Sequence, residues 1–189
     1  MLTSIKSHLL QEQLFQDNLN HIRQELSRSK EDFIQDHYKK YDQPMFPPAW
    51  KVLEVVSFGT LSKMFCNFSN AKIKKRISRE LGVPQHIFLE SWIRSTVNLR
   101  NCLAHHARVW NRKYPQMPQL PKKMPYSWVT NKNVPMMKLY PHLCILVYIQ
   151  NNLLPDSDFK SRLKSLLKTH VNIDLNAMGF PSDWEREAL

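Results

Sequence analysis

Apolar residues recur every three or four positions along most of the chain, and nowhere do they alternate as a half-buried strand requires. From about residue 9 to 38, Leu10, Leu14, Leu19, Ile22, Leu26, Phe33 and Ile34 keep helical spacing with no Gly or Pro between them. This predicts one long helix, or two joined near Ser27–Ser29, where Ser29 and Asp32 have the spacing of a capping box. Pro44, Pro47 and Pro48 impose an extended link, and Pro48 suits the first position of a short helix reaching Val56. Ser57-Phe58-Gly59-Thr60 predicts a tight break before a further short helix over 61–68, and Asn70 is expected to cap a helix over 71–81. Gly82-Val83-Pro84 then punctuates the chain, and no Gly or Pro follows until Pro115. That gap predicts one helix from about 85 to 111, some 40 Å long at the usual rise.

Pro115, Pro118, Pro121 and Pro125 exclude regular structure from 113–134, which is expected to form a loop near the long helix. Tyr140-Pro141 opens a strongly apolar helix to about Leu154, and Pro155 ends it. Ser157 is expected to cap a helix over 158–170 with Phe159, Leu163, Leu166 and Leu167 inward. Residues 171–189 read as an irregular tail whose Met178–Trp184 part docks back. The fold expectation is all-α: an irregular helical bundle with a long central helix and a proline-rich loop. Residues 1–189 form a single domain in this reading, divided into 1–43, a core at 44–111, the loop at 112–135, and C-terminal helices and tail at 136–189.

Composition narrows the partners. The chain has 189 residues and 42% hydrophobic content, enough for a core of its own. Its 27 Lys and Arg against 16 Asp and Glu give a formal charge of +11, which favours a polyanion, most simply RNA. An anionic membrane surface is the competing partner for such charge. The longest apolar run, Leu143 to Ile149, is far short of the roughly 20 residues of a spanning helix. Met1-Leu2-Thr3-Ser4 does not open a secretory signal, so a cytoplasmic protein is expected. Cys66, Cys102 and Cys144 lack C-x-x-C spacing and are expected to be buried thiols, not a disulfide framework or a zinc site. With 3 Gly in the chain and no carboxylate cluster, no phosphate-cradling turn, metal or other cofactor is expected.

Candidate chemistry concentrates at Leu99–Arg112. At 100° per residue, Arg94, Asn98, Asn101, His105, Arg108 and Arg112 fall in one polar stripe, opposite Phe88, Trp92, Leu99, Leu103 and Trp110. The polar stripe carries no acid. His105 is the one side chain in it whose unperturbed pKa lies near neutrality, and Asn101 and Arg108 lie one turn to either side, where they could hold phosphate oxygens. His106 points with the apolar stripe and reads as a hydrogen-bonded core histidine. Glu54, the only acid in its neighbourhood, is a surface residue or a partner for an arginine of the long helix. Lys72, Lys74, Lys75, Arg76 and Arg79 crowd a short helix and form either a solvated face or a surface that follows phosphates. Tyr126 and Trp128 either anchor the proline-rich loop or stack on bases.

Arg100 and His105 also form the R-x-x-x-x-H pattern of the HEPN superfamily, which includes metal-independent endoribonucleases. The surroundings, Arg100-Asn101, Ala104-His105-His106 and Arg108 followed by Trp110-Asn111-Arg112, resemble the signature of the Abi-like (abortive infection, AbiD/AbiF) proteins within it. Trp50, Glu54, Ser57–Lys63, Met178–Pro181 and Asp183-Trp184 extend the resemblance from about Leu14 to Trp184. It implies a HEPN-like bundle and a phage-defence endoribonuclease acting on RNA without metal. By the resemblance Arg100 and His105 are the expected catalytic residues, and Asn101, His106, Arg108, Arg112 and Glu54 are candidates to support them. Residues five apart on a helix are about 140° apart round its axis, and the resemblance implies a homodimer in which a second copy completes the site. The family's N-terminal segment is expected to be missing here. The alternative expectation is therefore a non-catalytic RNA-binding or regulatory interaction protein.

Overall fold

Helices supply the regular structure among the described residues. The computed structural model describes the backbone of residues 2–188 and the side chains of residues 12–188. In chain order the helices are α1 (Leu2–Arg28), α2 (Asp32–Lys40), α3 (Ala49–Val55), α4 (Phe58–Asn67), α5 (Ala71–Glu80), α6 (His86–Ala104), α7 (Leu139–Leu153) and α8 (Phe159–Thr169). Two single 3-10 turns follow, Asn176–Met178 and Trp184–Arg186. No strand occurs among the described residues, and none of their helices is long and apolar enough to cross a membrane. The chain divides into two compact units, 1–71 and 72–189, with the division falling inside the segment 44–111.

In the first unit, α1 packs on α3 and α4 around Ile22, Leu26, Ile34 and Val52. The break between α1 and α2 falls where expected, but α2 starts from Glu31, while the Ser29 hydroxyl accepts the Glu31 N–H at 3.3 Å. Phe58-Gly59-Thr60 is not a break, as the sequence suggested, but the first turn of α4. Ser57 is its N-cap, and its hydroxyl accepts the Thr60 N–H at 3.2 Å. That cap is tied to α1. The Glu25 carboxylate accepts the Ser57 N–H at 2.7 Å and the Ser57 and Thr60 hydroxyls at 2.8 Å each. Burial raises the Glu25 pKa, but these hydrogen bonds outweigh it and hold the carboxyl below its ordinary value.

In the second unit, α6 lies on α7. Trp92 of α6 is fully buried, stacked on Trp128 at 5.6 Å between centroids and edge-on to Tyr148 at 5.8 Å. Its indole N–H donates to the Gln119 carbonyl at 2.7 Å, so Trp128 and Gln119 fasten residues 105–138, which contain no helix, against α6. Met178, Phe180 and Trp184 dock on Tyr140, Cys144 and Val147, as the tail motif suggested. Each buried large apolar side chain of this kind contributes about 1.5–3 kcal/mol. Leu166, expected inward on α8, is 53% exposed, whereas Phe159, Leu163 and Leu167 pack as expected. Cys102 and Cys144 are buried, Cys66 is half-buried, and among the described residues none of the three is in a disulfide.

The tail is locked by Glu187. Its carboxylate accepts the Thr130 N–H at 2.5 Å, the Thr130 hydroxyl at 2.7 Å and the Asn131 N–H at 2.9 Å. Burial works against ionisation, but these donors and the nearby Lys160 ammonium hold the Glu187 pKa below its ordinary value.

Candidate functional site

The expected helix over 85–111 ends early, at Ala104, and this reshapes the site. Helix α6 is 19 residues and therefore about 28 Å long. His105 is its C-cap, and its N–H donates to the Asn101 carbonyl at 3.0 Å. The next residue, His106, has φ 51°, in the left-handed region. The His106 N–H donates to the Leu103 carbonyl at 3.1 Å and the Ala107 N–H to the Cys102 carbonyl at 2.8 Å. This is the Schellman arrangement that usually places glycine at the left-handed position. A histidine terminates the helix here, so the absence of Gly and Pro misled the spacing argument.

The early end of α6 moves individual residues off the expected faces. Arg94, Asn98, Asn101 and His105 keep their common face on α6, but Arg108, Trp110 and Arg112 lie beyond the helix and leave the stripe. On the opposite side, Trp92 and Leu99 are buried as expected, whereas Leu103 is 58% and Trp110 42% exposed. His106 is exposed, not a core histidine, because the left-handed turn carries it out of the apolar stripe.

At the motif itself, Arg100, Asn101, His105 and Arg108 are all exposed. The Arg100 guanidinium donates to Asn101 Oδ1 at 3.2 Å, and among the described residues it makes no hydrogen bond to His105. Since His105 N–H still follows the helical ladder, the two side chains leave the axis about 140° apart. No acid occurs between Glu90 and Asp156, so the entire segment that carries the motif is cationic.

The turn after α6 is held from three directions. Arg112 Nη1 donates to the Arg108 carbonyl at 3.5 Å, Lys138 Nζ to Asn111 Oδ1 at 2.9 Å, and the Tyr114 hydroxyl to the Val109 carbonyl at 3.1 Å. Tyr114 is fully buried, and burial, with the nearby Cys102, pushes its pKa up to about 12 although Arg112 opposes this, so it remains a donor. Beside it lies buried His142, whose Nδ1 is 2.9 Å from the Lys138 carbonyl and whose Nε2 is 3.1 Å from the Gln116 carbonyl. Burial lowers the His142 pKa against the pull of these two carbonyls. His142, Glu25 and Glu187 stand out in no spacing pattern, because their partners are backbone carbonyls and N–H groups and hydroxyls, which no residue pattern marks.

The basic residues of α5 separate by face. Lys72, Lys75, Arg76 and Arg79 are exposed and share one side of the helix. Lys74 points the other way, buried, with its ammonium 2.9 Å from the Glu90 carboxylate, so it is paired inside the unit rather than presented to a ligand. Arg76 reaches Glu80 at 3.2 Å on the surface. Glu54 is exposed on α3 of the first unit, around a shallow depression with Glu25, Arg28 and Glu31. Tyr126 is 58% exposed, with its ring over Gly82, whereas Trp128 is an anchor. Among the described residues no group of three or more His, Cys, Asp or Glu converges as a metal site.

The sequence model of the family described as Abi-like protein matches residues 3–111. No curated protein and no solved structure matches the chain. The family match begins before Leu14 and stops short of the tail motif at Met178–Trp184. It takes in α1 to α6 and the turn that presents Arg100, His105 and Arg108. Because that match spans more than half of the chain's 189 residues, the protein belongs to the Abi-like protein family.

Proposed function

We propose that the protein is a metal-independent endoribonuclease of HEPN type serving abortive infection, the phage-defence response for which its family is named. The observation that carries the reading is an exposed imidazole, His105, at the end of α6 with exposed Arg100 and Arg108 on either side of it in the chain and no acid in the segment. His105 takes the proton from a ribose 2′-hydroxyl, and the 2′-oxygen attacks phosphorus. The P–O5′ bond breaks, the leaving oxygen takes a proton from the His105 imidazolium or from water, and the products are a 2′,3′-cyclic phosphate and a 5′-hydroxyl. Arg100 stabilises the charge that builds on the phosphoryl oxygens. The angular separation of Arg100 and His105 within one chain is met by a homodimer in which each site takes one of them from each copy.

In EDTA, wild type is expected to cut RNA to cyclic-phosphate ends, with Arg100→Ala and His105→Ala slower by roughly a hundredfold or more. Equal cleavage by all three proteins overturns the proposal. Mixing the two inactive variants tests the dimer, since a shared site restores about a quarter of the activity and a site within one chain restores none.

The exposed basic face of α5 favours a second reading, in which the protein binds RNA without cutting it. Its mark is salt-sensitive binding that survives both substitutions and weakens when Lys75 and Arg79 are replaced together.

A further inference from the structure

Trp110 stands out among the large aromatic residues of the second unit. It is 42% exposed, yet the turn that carries it is fixed on both sides, by Tyr114 on the Val109 carbonyl and by Lys138 on the Asn111 side chain. It lines one side of an open cleft of about 390 Å³ whose other side is Thr169, His170, Val171, Asn172 and Ile173, at and just past the end of α8. Val171 is 82% exposed at the mouth. The cleft therefore has an indole and aliphatic side chains for a flat apolar ring, and an amide, an imidazole and a hydroxyl for a polar edge. Arg108, Arg112 and Lys113 flank Trp110 in the chain, Lys168 precedes the far wall and one acid, Asp174, follows it, so the neighbouring residues are basic in balance.

We propose that this cleft is a nucleobase subsite for single-stranded RNA: a base stacks on the Trp110 indole with its edge facing Asn172 and His170. The inference rests on the reading of Arg100 and His105 as an RNA-cleaving site and adds to it the element that selects the base beside the cut. A fully extended chain of five residues spans at most about 18 Å, so Trp110 lies within a few nucleotides of His105. Duplex RNA does not offer the face of a base, so the subsite also makes the substrate single-stranded. The basic residues that flank Trp110 in the chain favour a polyanion such as RNA over an apolar peptide as occupant.

The test uses the full chain and a short single-stranded RNA carrying one 2-aminopurine, in EDTA, with the uncleavable 2′-deoxy analogue at the scissile position as a control for cutting. Stacking on Trp110 quenches the 2-aminopurine emission of the wild-type complex. Trp110→Ala is expected to abolish the quench and weaken binding roughly ten- to hundredfold, while Trp110→Phe retains most of both. Asn172→Ala is expected to weaken binding of the preferred base and so flatten the preference among A, C, G and U at one position.

Unchanged quench and affinity in Trp110→Ala overturn the subsite, and if His105→Ala still abolishes cleavage the endoribonuclease reading stands without it. Quenching at Trp110 by a protein that cuts no RNA leaves the subsite and removes the nuclease. A change of oligomeric state in Trp110→Ala, with RNA binding intact, identifies the cleft as an interface between copies and also overturns the proposal.

Discussion

Helices α5 and α6 end in the same hydrogen-bonded motif built from different residues. At the end of α5, Gly82 has φ 69°, its N–H donates to the Arg79 carbonyl at 2.9 Å, and the Val83 N–H donates to the Ser78 carbonyl at 2.8 Å. At the end of α6, His106 and Ala107 make the equivalent pair of bonds, with His106 at the left-handed position. At Gly82 no alternative exists, since a Cβ there would lie 2.7 Å from the Tyr126 ring and 2.9 Å from Asn152 Nδ2, and Tyr148 holds the Gly82 carbonyl at 2.6 Å. The α6 terminus is exposed, so a side chain fits and only the backbone conformation is strained. Where packing is tight the motif requires glycine. Where the surface is open and carries the candidate chemistry, it tolerates a histidine.

The largest expected effect comes from Gly82→Ala. It combines the left-handed penalty with an overpacked contact and should destabilise the protein by roughly 2–4 kcal/mol in denaturant unfolding. A loss as small as that of an ordinary surface change would mean that Tyr126 yields freely, and the contrast between the two caps would fall.

Next is Glu187→Gln, which places an amide among three donors that now share a carboxylate, and should destabilise by roughly 1.5–3 kcal/mol. Acid probes the same clamps without mutation. His142, Glu25 and Glu187 all have folded pKa values below their ordinary values of 6.5, 4.5 and 4.5. Each therefore stabilises fully above its ordinary value and loses that contribution as pH falls towards its folded value. The unfolding midpoint should decline first below pH 6.5 and more steeply below 4.5. Because no carboxylate and no imidazole takes part in the hydrogen bonds that close α5, Gly82→Ala should shift this profile down without changing its shape.

A smaller effect of opposite sign is expected from His106→Gly. Relief of the left-handed strain is partly offset by a freer unfolded chain, leaving a gain of at most about 1 kcal/mol. Slower RNA cleavage in this more stable variant would give His106 a supporting role in the site. His106→Asn should move stability by no more than about 0.5 kcal/mol, since asparagine also enters the left-handed region readily.

The sequence was most legible where local rules act alone. Proline marked the end of α7, helical spacing marked the buried face around Trp92 and Leu99, and the tail aromatics read correctly as core. It misled where one residue took over another's conformational task. His106 stands where glycine usually stands, so the spacing predicts α6 seven residues too long and places Arg108, Arg112 and Trp110 on faces they do not occupy. In the same way, Phe58-Gly59-Thr60 read as a break because Gly59 was weighed without the Ser57 cap. The enrichment of His and Asn at positive φ was the one available warning, since both His106 and Asn111 adopt it.

By itself the sequence determined the helical class, the cationic balance and the membership of Arg100 and His105 in one motif, because these depend on residue type and short-range spacing. Tertiary structure alone decided which side chains that motif exposes, that Lys74 is spent on Glu90, and that Trp110 faces a cleft shared with residues 169–173. Those outcomes depend on contacts between segments far apart in the chain, and no periodicity along a single segment encodes them.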